Sequence, residues 1–516
     1  MNKILLRKPF LIIFFVLANL VFWGGMFFGL DFTDSFFHIN AARSPEVKDL
    51  FSSFFLSSIF ISFIEKFLGG DLIIFRLVNS FLLYCSVFLP FLFGKQSVNR
   101  INLFYISCVL LLISPLNVNI LGYDTFSVFF ISLVFSAYLK YFVSDKKKYW
   151  IPVLSFLVAL TVFIRLPNII LVPILFGFLL IYDNKKYAFT FLIFTVLFTY
   201  CGYYLVYRNL ESFIDSLYGA KNHSVFKLTI AYFKDALSII FYGIFIGCIH
   251  FIYQRWKGLG GIYRKSLFFL LISFFVLFFI SFSGYWKNYS LFITALVLTW
   301  IGFTLYKVKG ISTGDKIISR IFIVLLFVIP FGSNTGLLKA SLILVIFPFI
   351  ISRFENEQIS IFKLILIILL PFSLLENFSK TYEDSPILQV THLTNLERLD
   401  PIMTTNLRSD YIKSINKEKD SLERAGFDIV FYGDKSHLFN YLYPSQYYST
   451  EFNQPLNDLS FFQKLKNRKG FSKTALFLID NYPEVKDEKR NAVEKELHDQ
   501  GFIKQKKGVN TYFIKD

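Results

Sequence analysis

Residues 50–68, "LFSSFFLSSIFISFIEKFL", decide how the rest of the chain is laid out. The segment is apolar enough to enter a bilayer, yet it carries serines at 52, 53, 57, 58 and 62 and closes on Glu65 and Lys66. Either it crosses the membrane, or it lies flat in the interface as an amphipathic helix. Every later loop changes sides with that choice.

The surroundings of the segment are those of a membrane protein. The 516 residues are 55% hydrophobic, 20% aromatic and 17% charged, with a mean hydropathy of +0.54; soluble domains carry about 25% charged residues. Apolar runs near the roughly 17–25 residues needed to cross a bilayer fall at 10–30, 71–94, 101–116, 123–143, 149–164, 166–182, 187–207, 232–253, 266–282, 289–306, 317–331, 337–352 and 361–378. If 50–68 does not cross, "DKKK" (145–148), "DNKK" (183–186), "QRWK…YRK" (254–265) and "KVKG…DK" (307–316) share one side. That side collects 21 basic and 5 acidic residues, and the other side of residues 1–378 collects 11 of each. Basic loops stay cytoplasmic, so the spacing predicts an α-helical polytopic membrane protein of about 13 transmembrane helices plus an interfacial helix. The first apolar run, after Lys3, Arg7 and Lys8, exceeds a signal-peptide core and lacks a small-x-small cleavage site. It reads as a retained signal-anchor that leaves the N-terminus cytoplasmic in a multi-pass inner-membrane protein.

The net charge of +17 does not point to nucleic acid, because residues 379–516 hold 21 Lys and Arg against 20 Asp and Glu. The excess belongs to the loops of residues 1–378. Cys85, Cys108, Cys201 and Cys248 all lie in apolar segments without metal-ligand spacing. Residues 379–516 read as a small extracytoplasmic α/β domain. "FDIVFYG" (427–433) and "TALFLID" (474–480) have the pattern of buried strands. "RSDYIKSINKEKDSLERAG" (408–426) and "EVKDEKRNAVEKELHDQG" (484–501) are polar helices ending at glycine. The expected division is a catalytic membrane domain, 1–378, with an outer loop at 31–70, and the domain 379–516.

This topology sends a set of ionisable residues to the outer face. In "GLDFTDSFFHIN" (29–40), a helix starting near Thr33 places Asp34 and His38 on one face, with Asp31 just before it. The same residues equally describe a helix N-terminus capped by Asp31 or Thr33. "NVNILGYDTFS" (117–127) sets Asp124 at the start of another membrane helix. Arg76 in "FRLVN" and Arg165 in "FIRLPN" interrupt apolar runs near the same boundary, where snorkelling to headgroups is the alternative. "GYWKNY" (284–289) adds Lys287, and "FGSNTGLLK" (331–339) adds Lys339 behind a segment around Asn334 that is either an ordinary turn or one whose N–H groups nest an anion.

Carboxylates, cations and access from lipid suit a polyprenyl-phosphate-linked sugar as donor. Its phosphate needs Arg or Lys. Phosphate leaves as a stable anion, so cations replace the acid that a glycosidase needs, and one base suffices to take the acceptor's proton. Asp34 is the expected base, with Asp124 as the second catalytic carboxylate. Arg76, Arg165, Lys287 and Lys339 are the expected phosphate ligands, supported by Asp31, His38 and Asn334.

"DFTDSFFHINA" followed by "SSFFLSSIFISFIEKFLGGDLIIFRLVNSF" resembles the opening of the GT-C membrane glycosyltransferases. It is most similar to the protein O-mannosyltransferases and the bacterial aminoarabinose transferase acting on lipid A. "FLGGDLIIFRL" supplies the Arg at the start of the next helix, Arg76, and "GYDTFSV" and "FIRLPNIILVP" resemble later helix starts of the group. The resemblance covers about residues 1–180 by motif and 1–378 by topology. It implies a GT-C-like fold, a polyprenyl- or dolichyl-phosphate sugar donor and inverting transfer on the outer face to a glycan, lipid or protein acceptor. It also implies a first-loop acid, here Asp34, acting as base or beside a divalent metal. The position of the family's frequent second acid is Ser35, which leaves Asp31 or Asp124 to substitute. No "WWDYG"-like motif is present, which argues against an Asn-glycosylating oligosaccharyltransferase.

Two other classes fit the composition. A transporter or flippase of lipid-linked glycans calls for ionisable residues at helix centres and broken helices in matching halves, whereas the acids singled out here lie at helix edges. An assembly protein would use the outer domain for binding and the membrane-edge acids as caps.

Overall fold

A computed structural model describes residues 8–43, 55–94, 98, 100–113, 120–143, 148–207, 225–255, 286–307, 311–331, 336–354, 366, 370–371, 374–375, 378, 381, 384–433, 435–443, 473–479, 487–507 and 510–515. The chain is a helical membrane protein with a small C-terminal sheet region. In chain order the helices are α1 (Lys8–Gly24), α2 (Asp34–Arg43), α3 (Phe55–Leu68), α4 (Leu72–Phe93), α5 (Arg100–Leu112), α6 (Tyr123–Val143), α7 (Trp150–Ile164), α8 (Leu171–Tyr182), α9 (Lys185–Tyr207), α10 (Val225–Arg255), α11 (Trp286–Lys307), α12 (Thr313–Leu325) and α13 (Phe347–Ser352). A 3₁₀ helix, Gly336–Ile346, runs into α13.

Among the described residues, five helices are long and apolar enough to cross a membrane: Pro9–Phe27, Leu72–Phe93, Tyr123–Phe142, Lys185–Tyr204 and Thr229–Ile252. Shorter apolar helices at Asn102–Leu112, Trp150–Ile164, Leu166–Tyr182, Ser290–Tyr306 and Gly336–Ser352 fall on five more of the expected spans. The expected span 266–282, and most of 361–378, lie outside the described residues. Apolar side chains form both the outside and the inside of the bundle. Ile13, Leu17 and Leu20 of α1 are half-exposed or more, as a lipid-facing helix requires, whereas Phe22 and Ala18 of the same helix are buried. Polar side chains join helices inside, where water offers no competing partner. Thr125 Oγ1 donates to Asn79 Oδ1 at 2.6 Å, Asn168 Nδ2 to Ser127 Oγ at 3.0 Å, and Ser132 Oγ to the Ser86 carbonyl at 2.7 Å.

Segment 50–68 enters this framework as α3, 14 residues long, or about 21 Å at 1.5 Å per residue. Ser57 Oγ, in its first turn, donates to the carbonyl of Ile164 at the end of α7. Ser62 Oγ donates to Ala42, and Glu65 pairs with Arg43 at 2.6 Å. The helix is thus fastened along its length to one end of the bundle. It buries Ser57, Ser58, Ile61 and Ile64 and turns Ile59, Phe63 and Phe67 outward.

The C-terminal region adds β1 (His392–Leu393), β2 (Met403–Thr404), α14 (Asn406–Arg424), β3 (Asp428–Tyr432), α15 (His437–Leu442), β4 (Thr474–Leu478), α16 (Asp487–Asp499), β5 (Ile503–Lys507) and β6 (Asn510–Lys515). The four-stranded sheet has the order β3-β4-β6-β5, with β3 and β4 parallel and the other pairs antiparallel. Side chains alternate between its faces. Val430, Tyr432, Leu476, Leu478 and Phe513 pack with Val493 and Leu497 of α16. Ile429, Phe431, Ala475 and Phe477 join a cluster that holds Ile412 and Ile415 of α14, Phe439 of α15, and Leu30, Phe36, Phe75 and Phe126 from the membrane part. One apolar core therefore runs across the 378/379 division.

Candidate functional site

The residues that matter gather where α2, α6, the end of α7 and the 3₁₀ helix Gly336–Ile346 meet. Gly122 precedes α6 and leaves room for a ring: a Cβ there would lie 2.6 Å from His38 Cδ2 and 2.7 Å from Nε2. The imidazole of His38 stands edge-on to Tyr123, with centroids 5.1 Å apart. Asp124, next along α6, binds Lys339 Nζ at 2.5 Å through Oδ2. Its Oδ1 is buried without a partner among the described residues. Arg165 closes α7 in an extended conformation before the turn at Pro167. Its Nη1 donates to the Ile329 carbonyl at 2.5 Å. The Arg165 guanidinium and the Lys339 ammonium each stand 5.4 Å from the centroid of the Tyr123 ring, within cation–π range.

The electrostatics follow from burial. His38 is pushed down to about 4, first by burial and then by Lys339, against the opposing pull of Asp124. It is neutral at physiological pH. His437, which opens α15, is likewise pushed down to about 4 by burial and by His38. Its ring meets Phe37 at 5.6 Å, and its carbonyl accepts from Asn40 Nδ2 at 2.8 Å. A carboxylate, two cations, a phenol and a neutral imidazole thus share one partly open site, whose cations suit it to hold an anion.

Arg76, Asp31 and Asp384 form a neighbouring buried group. Arg76 Nη1 donates to the Met26 carbonyl at 2.9 Å and Nη2 to Gly29 at 2.6 Å, so its fork holds the turn after α1. Asp31 accepts from the Ser35 N–H at 2.9 Å and caps α2, the role that the sequence left open for it. Asp384 accepts from the Leu30 N–H at 2.9 Å and Thr404 Oγ1 at 2.7 Å, and pairs with Arg408 at 3.3 Å.

Of the residues singled out in the sequence, Asp124, Arg165, Lys339 and His38 come together, and Asp31 and Arg76 sit beside them in structural roles. Asp34 opens α2 one turn before His38, but its side chain, the Lys287 side chain and Asn334 lie outside the described residues. Sequence reasoning missed Tyr123, Asp384, His437 and Asp235. Asp235 had a visible signal: it lies inside an apolar run long enough to span, where ionisable residues are rare. It is buried, and its Oδ2 accepts from the Leu337 N–H at 3.0 Å, anchoring the helix that carries Lys339. Among the described residues no three His, Cys, Asp or Glu side chains converge to hold a metal. Asp124 faces two cations, a setting that suits an anion and repels a divalent ion. Comparison of the chain with models of known protein families, with curated proteins and with solved structures gave no match.

Proposed function

We propose that the protein is a GT-C-like glycosyltransferase. In this reading it has about thirteen spans, lies in the inner membrane and carries its sheet region outside the cytoplasm. It moves a sugar from a polyprenyl-phosphate donor to a hydroxyl of a glycan, lipid or protein. The observation that carries this reading is the convergence of Asp124, Lys339, Arg165 and His38 around Tyr123 at one end of an apolar helical bundle. The acceptor oxygen attacks the anomeric carbon, the bond from that carbon to the phosphate oxygen breaks, and the phosphate leaves with the electron pair. Lys339 and Arg165 stabilise the departing charge. The acceptor's proton passes to Asp34, which stands one helical turn before His38 on the same face of α2. Asp124 orients Lys339. Arg76 is spent on the Met26 and Gly29 carbonyls and is not assigned to the phosphate.

The test is mass spectrometry of envelope glycans, glycolipids and glycoproteins from cells carrying wild-type protein, Asp34→Asn, Lys339→Met or no protein, at matched protein levels. The reading expects the same sugar to disappear in both variants and in the deletion. A deletion that changes no glycan while the wild-type protein is made would overturn it. A sugar kept by Asp34→Asn but lost in the deletion would keep the enzyme and remove Asp34 as its base.

A further inference from the structure

Among the described residues of the C-terminal region, Ile503 of β5 is 61% exposed, and three leucines stand open as well: Leu388 at 88%, Leu407 at 79% and Leu393 at 40%. The leucines belong to different elements: the 3₁₀ turn Ile387–Gln389, the start of α14 and β1. Soluble surfaces carry single exposed leucines without consequence. What distinguishes these three is the depth at which the backbone holds them.

The membrane-crossing stretch Pro9–Phe27 ends one residue before Phe28. Phe28 forms a parallel bridge with Met403, and the Gly29 N–H donates to the Met403 carbonyl at 3.0 Å. Met403 in turn pairs with Leu393 across β1 and β2. Paired strands lie side by side, about 4.8 Å apart. Phe28–Gly29 is the turn that follows the span, with Gly29 at φ +82, so its bridged neighbour Met403 and the next strand's Leu393 lie within two strand spacings, about 10 Å, of the last turn of α1. Two further ties fix the other leucines. Arg408, adjacent to Leu407, donates to the Leu30 carbonyl. Asp384, four residues before Leu388, accepts from the Leu30 N–H at 2.9 Å. All three leucines are therefore pinned within a few residues of the point where α1 leaves the membrane, a height at which headgroups and upper acyl carbons surround the protein. Ile13, Leu17 and Leu20 of α1 are exposed as well.

We propose that Leu388, Leu393 and Leu407 form a lipid-contacting surface by which the C-terminal region rests on the bilayer that its own helices cross. The occupant is the headgroup and upper acyl layer of the same leaflet. The surface does not depend on the chemistry proposed above.

The experiment is site-directed spin labelling in lipid nanodiscs, with single cysteines at 388, 393 and 407 in a chain whose four native cysteines are replaced. Leu20→Cys serves as the membrane control and Lys417→Cys, exposed on α14, as the aqueous control. Power saturation compares collision with oxygen, which partitions into lipid, and with a water-soluble nickel chelate. At all three positions oxygen accessibility exceeds nickel accessibility, in the direction of the Leu20 control. Nickel accessibility equal to that at 417 would overturn the proposal. If the cysteine-replaced chain does not fold, Leu407→Trp in the native chain is compared with its parent in nanodiscs of lipids brominated near the headgroup. The added fluorescence is lost in brominated lipid if Leu407 touches the bilayer and is retained if it faces water.

Discussion

Lys339 and Asp124 stand 215 positions apart in the sequence and meet at 2.5 Å. Both side chains are partly exposed, at 18% and 25%, so the pair is neither a screened surface contact nor a fully dehydrated one. The packing of α6 against the 3₁₀ helix brings the two backbones close enough for the pair to form.

Replacing either partner leaves the other charge in a poorly hydrated place. Asp124→Ala and Lys339→Ala are each expected to lower stability, and the double variant to lose less than the sum. The expected coupling is about 1–3 kcal/mol. Thermal unfolding of the four proteins in nanodiscs checks this; additive losses would mean that the pair contributes nothing beyond its parts.

Gly336 sits at φ +64, and a Cβ there would run into the Asp235 carboxylate that holds the Leu337 N–H. Gly336→Ala is expected to cost about 1–3 kcal/mol through backbone strain and displacement of that carboxylate. Because the displaced segment carries Lys339, the product of the proposed sugar transfer is expected to fall more than protein level does. Thermal melting and product analysis on the same preparations separate the two effects.

Asp384 is the principal bolt between the sheet region and the turn after α1. Its side chain is fully buried and serves Leu30, Thr404, Ser385 and Arg408. Asp384→Ala orphans several buried donors and is expected to loosen that junction by about 2–4 kcal/mol. Hydrogen exchange at the Leu30 amide reports it directly, accelerating by more than an order of magnitude while amides inside α6 stay protected.

His38 and His437 give the docked region an acid limit. Both fall to about 4 in the folded chain, below the 6.5 of an exposed imidazole, because burial disfavours the charged form. The unfolded or undocked chain then binds more protons between those values. The stabilisation is fully present above pH 6.5 and is lost progressively as pH falls towards 4, by up to about 3 kcal/mol for each histidine. The melting temperature should drop over that window, and less in His38→Gln or His437→Gln protein. A profile flat from pH 7 to 4 would contradict the neutral burial of both rings.

The reading of 50–68 shows how far local pattern reaches. Its serines and the pair Glu65–Lys66 marked it as different from the spans around it, and α3 buries Ser57 and Ser58 and turns Phe63 and Phe67 outward. Asp31 and Asp124 were visible as helix-start carboxylates, because capping is a relation between neighbours in sequence. Asp235 was passed over because hydropathy averaged over a window hides one acid among many apolar residues. Tyr123 gave no signal at all: a tyrosine at a helix start is ordinary until two cations arrive over its ring.

The sequence by itself determined that the chain is a helical membrane protein, where ten of its apolar helices fall among the described residues, and that a small sheet-bearing region follows them. Each of these depends on free energies summed along a short stretch: the transfer of an apolar run into lipid, the alternation of a strand, the stop at a glycine. Only the tertiary structure decided that Lys339 faces Asp124, that Arg76 is spent on the carbonyls of Met26 and Gly29, and that the sheet region shares its core with Phe36 and Phe126. Those outcomes depend on which helix ends pack together, a choice made by contacts between residues hundreds of positions apart that no local pattern records.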